Sequence, residues 1–409
     1  MKKVAVIGAG AAGSIAGYFA SKYGADVTIF EKNNIIGRKL RITGKGRCNI
    51  TNVSDIEDII SNIYRNGNFM YSALYSFTND DLMELFKKYG LKMKIERGNR
   101  VFPESDKALD VIIAIEKMLK DVGVKLEFNK KVDSIIVLDN KIKGIKLSNG
   151  QKIFYDAVII ATGGVSYPLT GSSGDGYKMA SKIGHNITRL KPALVGLETI
   201  QLPRKEMVGL NLRNVGISLY ENNKKRYEDF GELEFRNYGV DGPMIKSASC
   251  YVEDTQKNSY HIILDLKPAL SKEKLDLRIQ RDFKKYINKN FENALNDLLP
   301  KNIIDFVINL SNTDRHKSVH QITKVERTRL IESIKNIKFD IKKIRPIEEA
   351  IITSGGVEVK EINPSTMESK KVEGLYFAGE LVDVDAYTGG YNLQAAFSMG
   401  YLAGISSAK

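Results

Sequence analysis

Val4-Ala5-Val6-Ile7-Gly8-Ala9-Gly10-Ala11-Ala12-Gly13 decides how this chain folds. The four apolar residues have the β-branched character of a strand buried on both faces. They run straight into glycines in G-x-G-x-x-G spacing. Ser14 to Lys22 then predicts a helix, and Ala25 to Phe30 a second strand ending in Glu31. Each part has a physical task. Gly8 permits the tight turn, Gly10 lets a pyrophosphate approach the backbone, and Gly13 lets the helix pack on the strand. The helix start presents free N–H groups to the diphosphate, and Glu31 can accept hydrogen bonds from a ribose hydroxyl pair. A lone glycine pattern would be weak. Here strand, turn, helix, strand and acid fall in order, and the stretch is read as a dinucleotide site.

The rest of the composition is compatible with that reading. At 409 residues the chain is long for one core, and two or three modules are expected. The hydrophobic fraction of 43% and charged fraction of 27% are ordinary for a globular protein. No run of eighteen apolar residues occurs, so no membrane span is expected. The apolar stretch from Val4 to Ala20 is broken by glycines and lacks a cleavage site, which argues against a signal peptide. Cys48 and Cys250 are the only cysteines, which argues against a disulfide framework or a zinc site and suits a reducing cytoplasm. The net charge of +13 is uneven: residues 1–190 carry +10, 191–266 carry −1, 267–345 carry +9 and 346–409 carry −5. An excess concentrated in two blocks is what a footprint for a polyanion looks like, although lysine-rich surfaces also occur without a partner.

The fingerprint alone does not separate FAD from NAD; the far end of the chain does. Gly374-Leu375-Tyr376-Phe377-Ala378-Gly379-Glu380 reads as a short strand ending in a Gly–acid pair. Gly389-Gly390-Tyr391-Asn392-Leu393-Gln394-Ala395-Ala396 follows as a glycine turn opening a helix. This arrangement resembles the second FAD-binding segment of flavoprotein oxidoreductases. In those proteins the acid meets the pyrophosphate–ribitol region, and the helix start stabilises negative charge on the reduced flavin. Ala161-Thr162-Gly163-Gly164, after the strand Ala157 to Ile160, resembles their A-T-G-G strand end. Between these lies the most distinctive stretch, Gly37-Arg38-Lys39-Leu40-Arg41-Ile42-Thr43-Gly44-Lys45-Gly46-Arg47-Cys48-Asn49-Ile50-Thr51-Asn52. It resembles the signature of the BaiN/RdsA (YhiN-like) family of FAD-dependent oxidoreductases, as does Ala378 to Asp385 with Gly389 to Asn392. The resemblance spans essentially the whole chain.

The implied fold is α/β: a discontinuous, Rossmann-like FAD domain built from two dinucleotide-fold segments, with an inserted β module and an inserted helical module. The expected boundaries are 1–190 and 346–409 for the FAD domain, 191–266 for the β module and 267–345 for the basic helical module. Alternation at Val215 to Tyr220 and Tyr260 to Asp265 supports the first insertion. After Pro268 the spacing of Leu270, Leu275, Leu277, Ile279, Phe283 and Ile287, continued by Ile303, Ile304, Phe306, Val307 and Leu310, supports the second. Fingerprint and resemblance together give a cofactor-contact set. It comprises Gly8, Gly10, Ala11, Ala12, Gly13, Glu31, Lys32, Arg38, Lys39, Thr43, Gly44, Arg47, Cys48 and Asn49. Val132, Ala161, Thr162, Gly163, Gly379, Glu380, Gly390, Asn392 and Leu393 complete it. Only one complete nucleotide fingerprint is present, so NAD(P)H is expected to visit the flavin transiently. Gly171 to Gly176 resembles the helix-opening G-D-G turns of fumarate-reductase-like flavoproteins instead.

Reduced flavin delivers hydride, so the acceptor must be electron-poor, and a C=C bond conjugated with a carbonyl qualifies. Its second carbon needs a proton from a placed acid. Cys48 is the candidate, because Arg38, Lys39, Arg41, Lys45 and Arg47 surround it in sequence and cations lower a thiol pKa. The competing reading makes Cys48 a small packing residue. His185 is expected to end a helix and His261 to lie on a strand. His316 and His320 would share a helix face, but no third ligand accompanies them and no metal site is expected. The resemblance implies two substrate classes: uridine in large-subunit ribosomal RNA, reduced to dihydrouridine, and enones of bile-acid or steroid type. Charge favours RNA, with Arg278, Arg281, Lys284, Lys285, Arg327 and Arg329 as expected phosphate contacts. A flavin-bearing RNA-binding or redox-sensing protein without turnover is a third reading, and the oligomeric state is not legible.

Overall fold

The computed structural model describes residues 1–409. Contacts divide the chain into two compact units, Met1–Pro192 with Ile347–Lys409, and Ala193–Pro346. The first unit is built on a five-stranded parallel sheet. Its order is Leu375–Phe377, Ala157–Ile160, Lys3–Ile7, Asp26–Glu31, Lys125–Phe128. Val4 pairs with Ala157 on one side and Val27 on the other, so the first strand is central. The helices Ala11–Lys22 and Tyr391–Ala408 pack on it, and so does the antiparallel sheet Val132–Leu138, Lys141–Leu147, Lys152–Phe154, through Ala157–Ile160. Its strands, covered on both faces, are continuous apolar runs and not alternating ones. Connections leave the first strand in opposite senses, and ligands of such sheets bind beyond the strand ends at that switch point. Gly8 sits there.

The first helix runs Ala11–Lys22, one turn longer at its start than the sequence predicts. It packs along the C-terminal helix Tyr391–Ala408. A Cβ on Gly400 would lie 2.4 Å from Ala12 O, and one on Gly404 would lie 2.5 Å from Ala16 O. Those two glycines therefore set how closely the helices approach. Phe19, Phe77 and Tyr401 close the bottom of the interface as an edge-and-face cluster.

The second unit is a closed six-stranded antiparallel barrel. It runs Leu197–Thr199, Gly239–Asp241, Lys224–Arg236, Asn211–Glu221, Tyr260–Asp265, Ile337–Ile344, and back to the first. The helices Lys272–Lys285, Lys301–Ser311 and Lys324–Lys335 share its core. Leu275, Ile279, Val307, Leu330 and Ile334 pack in one cluster with Leu219, Phe235, Ile262 and Phe339. This corrects the expected division at 266/267. Neither the barrel nor the helices bury their apolar faces alone, so residues 191–266 and 267–345 do not form separate modules. Ile337–Ile344 falls within the expected helical stretch but is the strand that closes the barrel. Ile337, Phe339 and Ile341 alternate with more exposed neighbours, the strand period of two.

Candidate functional site

At the first strand's end, Gly8 turns with φ +102° and its N–H reaches Phe30 O at 2.8 Å. Ala9 N–H donates to Glu31 Oε2 at 2.9 Å, and Glu31 Oε1 accepts from Asn33 N and Nδ2. The acid is thereby fixed beside the turn with only 9% exposure. Gly10 stands at the helix N-cap in extended conformation, and neither a cap side chain nor an acid serves the first turn. These N–H groups and the helix dipole suit an anion. A Cβ on Gly10 would meet nothing within 4 Å, whereas one on Gly13 would strike Gly8 O at 1.9 Å. Ala12 is buried and Ala11 half-buried beside them. Lys130 N–H reaches Glu31 O at 3.0 Å, and buried Val132 follows two residues further along the chain. Lys32 is committed to Asp175 at 2.7 Å and to Ser173.

The signature loop is a chain of left-handed residues: Gly37, Gly44, Lys45, Gly46 and Cys48 all have positive φ. Cys48 N–H donates to Thr43 O at 2.9 Å, and Thr43 Oγ1 donates to Leu40 O. The end of the loop is stitched to the C-terminal half, with Thr51 Oγ1 on Gln394 Oε1 at 2.6 Å and Asn52 Nδ2 on Gly389 O at 3.0 Å. The expected cation-activated thiol is not found here. Cys48 has 0% exposure, and burial pushes its thiol up to about 11 against a lowering hydrogen bond from Thr43. Three of the five basic residues have other partners. Arg38 donates to Asn33, Lys39 to Glu380 and Ser166, and Arg47 to Glu96 and Asp106 while lying over Phe102. Desolvation of the thiolate dominates, and Lys39 and Arg47 are already engaged by carboxylates.

The second half supplies the facing wall. Ala161 backs onto Gly8, and Thr162 and Gly163 follow, Gly163 with φ +70°. Glu380, next to Gly379, is held at three points. Oε2 takes Lys39 Nζ at 2.6 Å, and Oε1 takes Thr353 N at 2.8 Å and Ser166 Oγ at 3.0 Å. Gly390 caps the C-terminal helix with φ +100°, and no side chain occupies that helix start; Leu393 is half-buried in its first turn. Asn392 instead clamps the preceding loop, bonding Ala386 N, Ala386 O and Tyr387 O at 2.9, 2.7 and 3.2 Å.

That loop carries residues to which sequence reasoning gave no role. Arg65 grips Asp383 through Nε and Nη2, and its backbone pairs with Asp385 as an antiparallel bridge. Asp385 is 1% exposed, and burial pushes its carboxyl up to about 7, helped by Asp383 and Glu380. The signal available was the alternation Val382-Asp383-Val384-Asp385 directly after the Gly–Glu pair; nothing in the sequence singles out Arg65.

FAD fits these residues. Buried polar atoms without a hydrogen bond include Ser14 Oγ, Arg41 Nε, Asn49 Oδ1, Thr162 Oγ1, Ser354 Oγ and Asp385 Oδ2, from the segments that flank the strand ends. Each costs on the order of 1–3 kcal/mol unless a polar ligand satisfies it. Together with two uncapped helix starts they define a dinucleotide-binding flavoprotein. Residues 2–406 match the HI0933-like protein Rossmann domain family, and the chain belongs to that family. It is 29% identical over 420 residues to the 3-dehydro-bile acid delta(4,6)-reductase of Clostridium scindens, covering 100% of both chains. It is also 29% identical over 404 residues to the ribosomal RNA dihydrouridine synthase of Haemophilus influenzae, covering 98% of this chain and 97% of that one. Among solved structures, 3-ketosteroid delta1-dehydrogenase from Sterolibacterium denitrificans superposes with TM-score 0.55 at 14% identity, covering 100% of both. An open flavocytochrome c3 fumarate reductase gives 0.54 at 18% identity, covering 100% of this chain and 78% of that one. The protein is an FAD-dependent oxidoreductase.

Within the second unit, the expected RNA contacts separate into two groups. Arg278 pairs with Asp282 at 2.7 Å, Lys285 with Asp297 at 2.8 Å, and Arg327 with Asp276. Arg281, Lys284 and Arg329 are exposed, and the nearest acid contact among them is Arg281 to Asp282 at 3.9 Å. His316 lies in a turn and His320 in a 3-10 segment, so the expected shared helix face does not exist. His261 lies on its strand, stacked on Tyr220. His185, just past the helix Asp175–Lys182, is buried between Glu361 and Ser369.

Proposed function

We propose that the chain reduces an activated carbon–carbon double bond, and that its substrate is uridine in large-subunit ribosomal RNA. FAD supplies hydride chemistry when bound, and NAD(P)H is the transient reductant. Gly10, Gly13 and Glu31 would hold the adenosine diphosphate portion. The uncapped helix at Gly390 would stabilise charge on the isoalloxazine. The observation that favours RNA is the exposed trio Arg281, Lys284 and Arg329 within the stretch of residues 267–345 that carries +9. A steroid gains nothing from such a surface, whereas each phosphate contact releases counterion. Cys48 is read as a packing residue under the signature loop, since an enclosed thiol cannot reach a substrate.

The second reading, reduction of a small enone such as a 3-oxo bile acid, draws on the equal identity to the Clostridium scindens reductase. RNA-fragment binding from low to physiological salt, set beside turnover of a small enone, separates the two. Salt-independent affinity with efficient enone reduction decides for the small molecule. Mapping dihydrouridine in ribosomal RNA of a deletion strain tests the RNA reading directly, since a full complement of the modified base would refute it. Equal RNA affinity in both flavin states with no reduced base would instead indicate a binding protein without turnover.

A further inference from the structure

Alkene reduction consumes a hydride and a proton, while a dihydronicotinamide brings only the hydride; the proton must come from water and be kept in the site. Four enclosed or partly enclosed groups of the first unit could keep it. Cys48 is enclosed and stays protonated. His185 is saturated by Glu361 and Ser369. Glu380 is held by Lys39, Ser166 and Thr353. Asp385 differs from all three. Its Oδ2 is buried without a hydrogen bond, and Arg65 Nε, the nearest cation, stays 3.8 Å away because Asp383 engages it.

We propose that Asp385 is the redox-linked proton store of this site, taking up one proton from water as the flavin is reduced and releasing it as the substrate is reduced. The geometry supplies the reasons. Asp385 lies midway along the loop from Glu380 to Gly390, the two ends that frame the flavin-binding half, and Asn392 pins the loop at Ala386. Negative charge surrounds the carboxyl. Asp383 stands two residues away and Glu380 acts through space; burial raises Tyr177 well above its ordinary value, with Glu380, Asp385 and Asp383 adding to it. Arg65 acts in the opposite direction. The Ser354 hydroxyl, itself without a well-formed hydrogen bond, lies close enough to favour ionisation. Burial wins, and the group titrates at about 7. Additional negative charge in the same site then tightens proton binding by roughly tenfold or more at the effective dielectric of a protein.

The balance is complete. Two electrons and one hydrogen come from the dihydronicotinamide, and one proton enters from water onto Asp385 Oδ2. The substrate leaves with both hydrogens, and Asp385 returns to carboxylate. Asp385 is a positioning residue, since at 1% exposure it delivers its proton through neighbours. The inference rests on the ene-reductase reading but is indifferent to RNA or steroid.

The test uses the FAD-loaded protein without substrate, so that a wrong substrate assignment does not affect it. The flavin of wild type and Asp385→Asn is reduced electrochemically in weakly buffered solution, with a pH indicator, from pH 5.5 to 9. Wild type should take up more protons per flavin than Asp385→Asn, by up to one, in a window above pH 7. The two should agree at pH 5.5, where the acid is already protonated. Ser354→Ala should move the window to higher pH. Equal uptake in both proteins at every pH overturns the proposal, as does an excess that survives in Asp385→Asn. Should Asp385→Asn lose flavin, the reduced-minus-oxidised infrared spectrum of wild type at pH 8 decides. Gain of a protonated-carboxyl band supports the store, and no gain overturns it. A protein that passes this test yet reduces neither substrate class would fail the functional reading alone.

Discussion

Gly10→Val and Gly13→Ala change neighbouring glycines of one motif and should fail in opposite ways. At Gly10 the backbone is extended, at φ −83° and ψ −164°, and an added Cβ meets no protein atom within 4 Å. The apo protein should keep its stability or gain about 0.4–1 kcal/mol from a stiffer unfolded chain. The side chain would project where the pyrophosphate must come. Losing two charge-assisted hydrogen bonds from the helix start, each about 1.5–3 kcal/mol, weakens FAD binding by roughly a hundredfold to ten-thousandfold. At Gly13 the new methyl lies 1.9 Å from Gly8 O, and the helix must move. Its other face is already locked against Gly400 and Gly404, so about 3 kcal/mol or more should be lost. Thermal melts of flavin-free protein and FAD released per chain on denaturation measure both effects. A Gly10→Val protein that purifies with a full complement of FAD would refute the assignment of the pyrophosphate site. A Gly13→Ala protein that melts with wild type would refute the packing argument.

Asp385 makes a pH-dependent prediction for the flavin-free chain. Its carboxyl is raised from 3.8 to about 7, so the folded state holds a proton that the unfolded state releases, and stability falls as pH rises through that window. Asp385→Asn should therefore be more stable than wild type at pH 8, by up to about 4 kcal/mol, and the two should converge near pH 4. Urea midpoints at the two pH values check it, and a variant weaker at pH 8 contradicts it. Cys48, raised to about 11, should be thiolate in only about one molecule in a thousand at pH 8. Alkylation should await unfolding, and fast labelling of the folded protein would restore the activated-thiol reading. Reversing Arg281, Lys284 and Arg329 together should remove about three phosphate contacts, flattening the log–log salt dependence of RNA binding by about 2 to 3 while the flavin spectrum stays unchanged. An unaltered slope would move the RNA surface elsewhere.

The sheet centre and the two glycine turns at its strand ends are legible in the amino-acid sequence alone. Val4 to Gly13 and Gly374 to Asn392 carry their structure locally: a buried strand needs an apolar run, and a turn that lets a phosphate reach backbone needs glycine at fixed positions. Spacing of that kind is readable without knowing what lies across the chain. The rest depends on contacts between segments far apart in the chain. Residues 191–345 read as two modules because period two gives way to helical spacing near Pro268. They fold as one unit because barrel and helices must cover each other's apolar faces, a constraint no local window contains. Cys48 was surrounded by cations in sequence, but Arg47 and Lys39 turned to Glu96, Asp106 and Glu380, and charge acts through space. Asp385 was visible as an acid between apolar neighbours. That it is buried with an oxygen lacking a hydrogen bond followed only once Arg65, distant in sequence, had engaged Asp383 more closely. Motifs that bind through backbone are written in sequence; the protonation state of a side chain is set by whichever distant groups the fold brings to it.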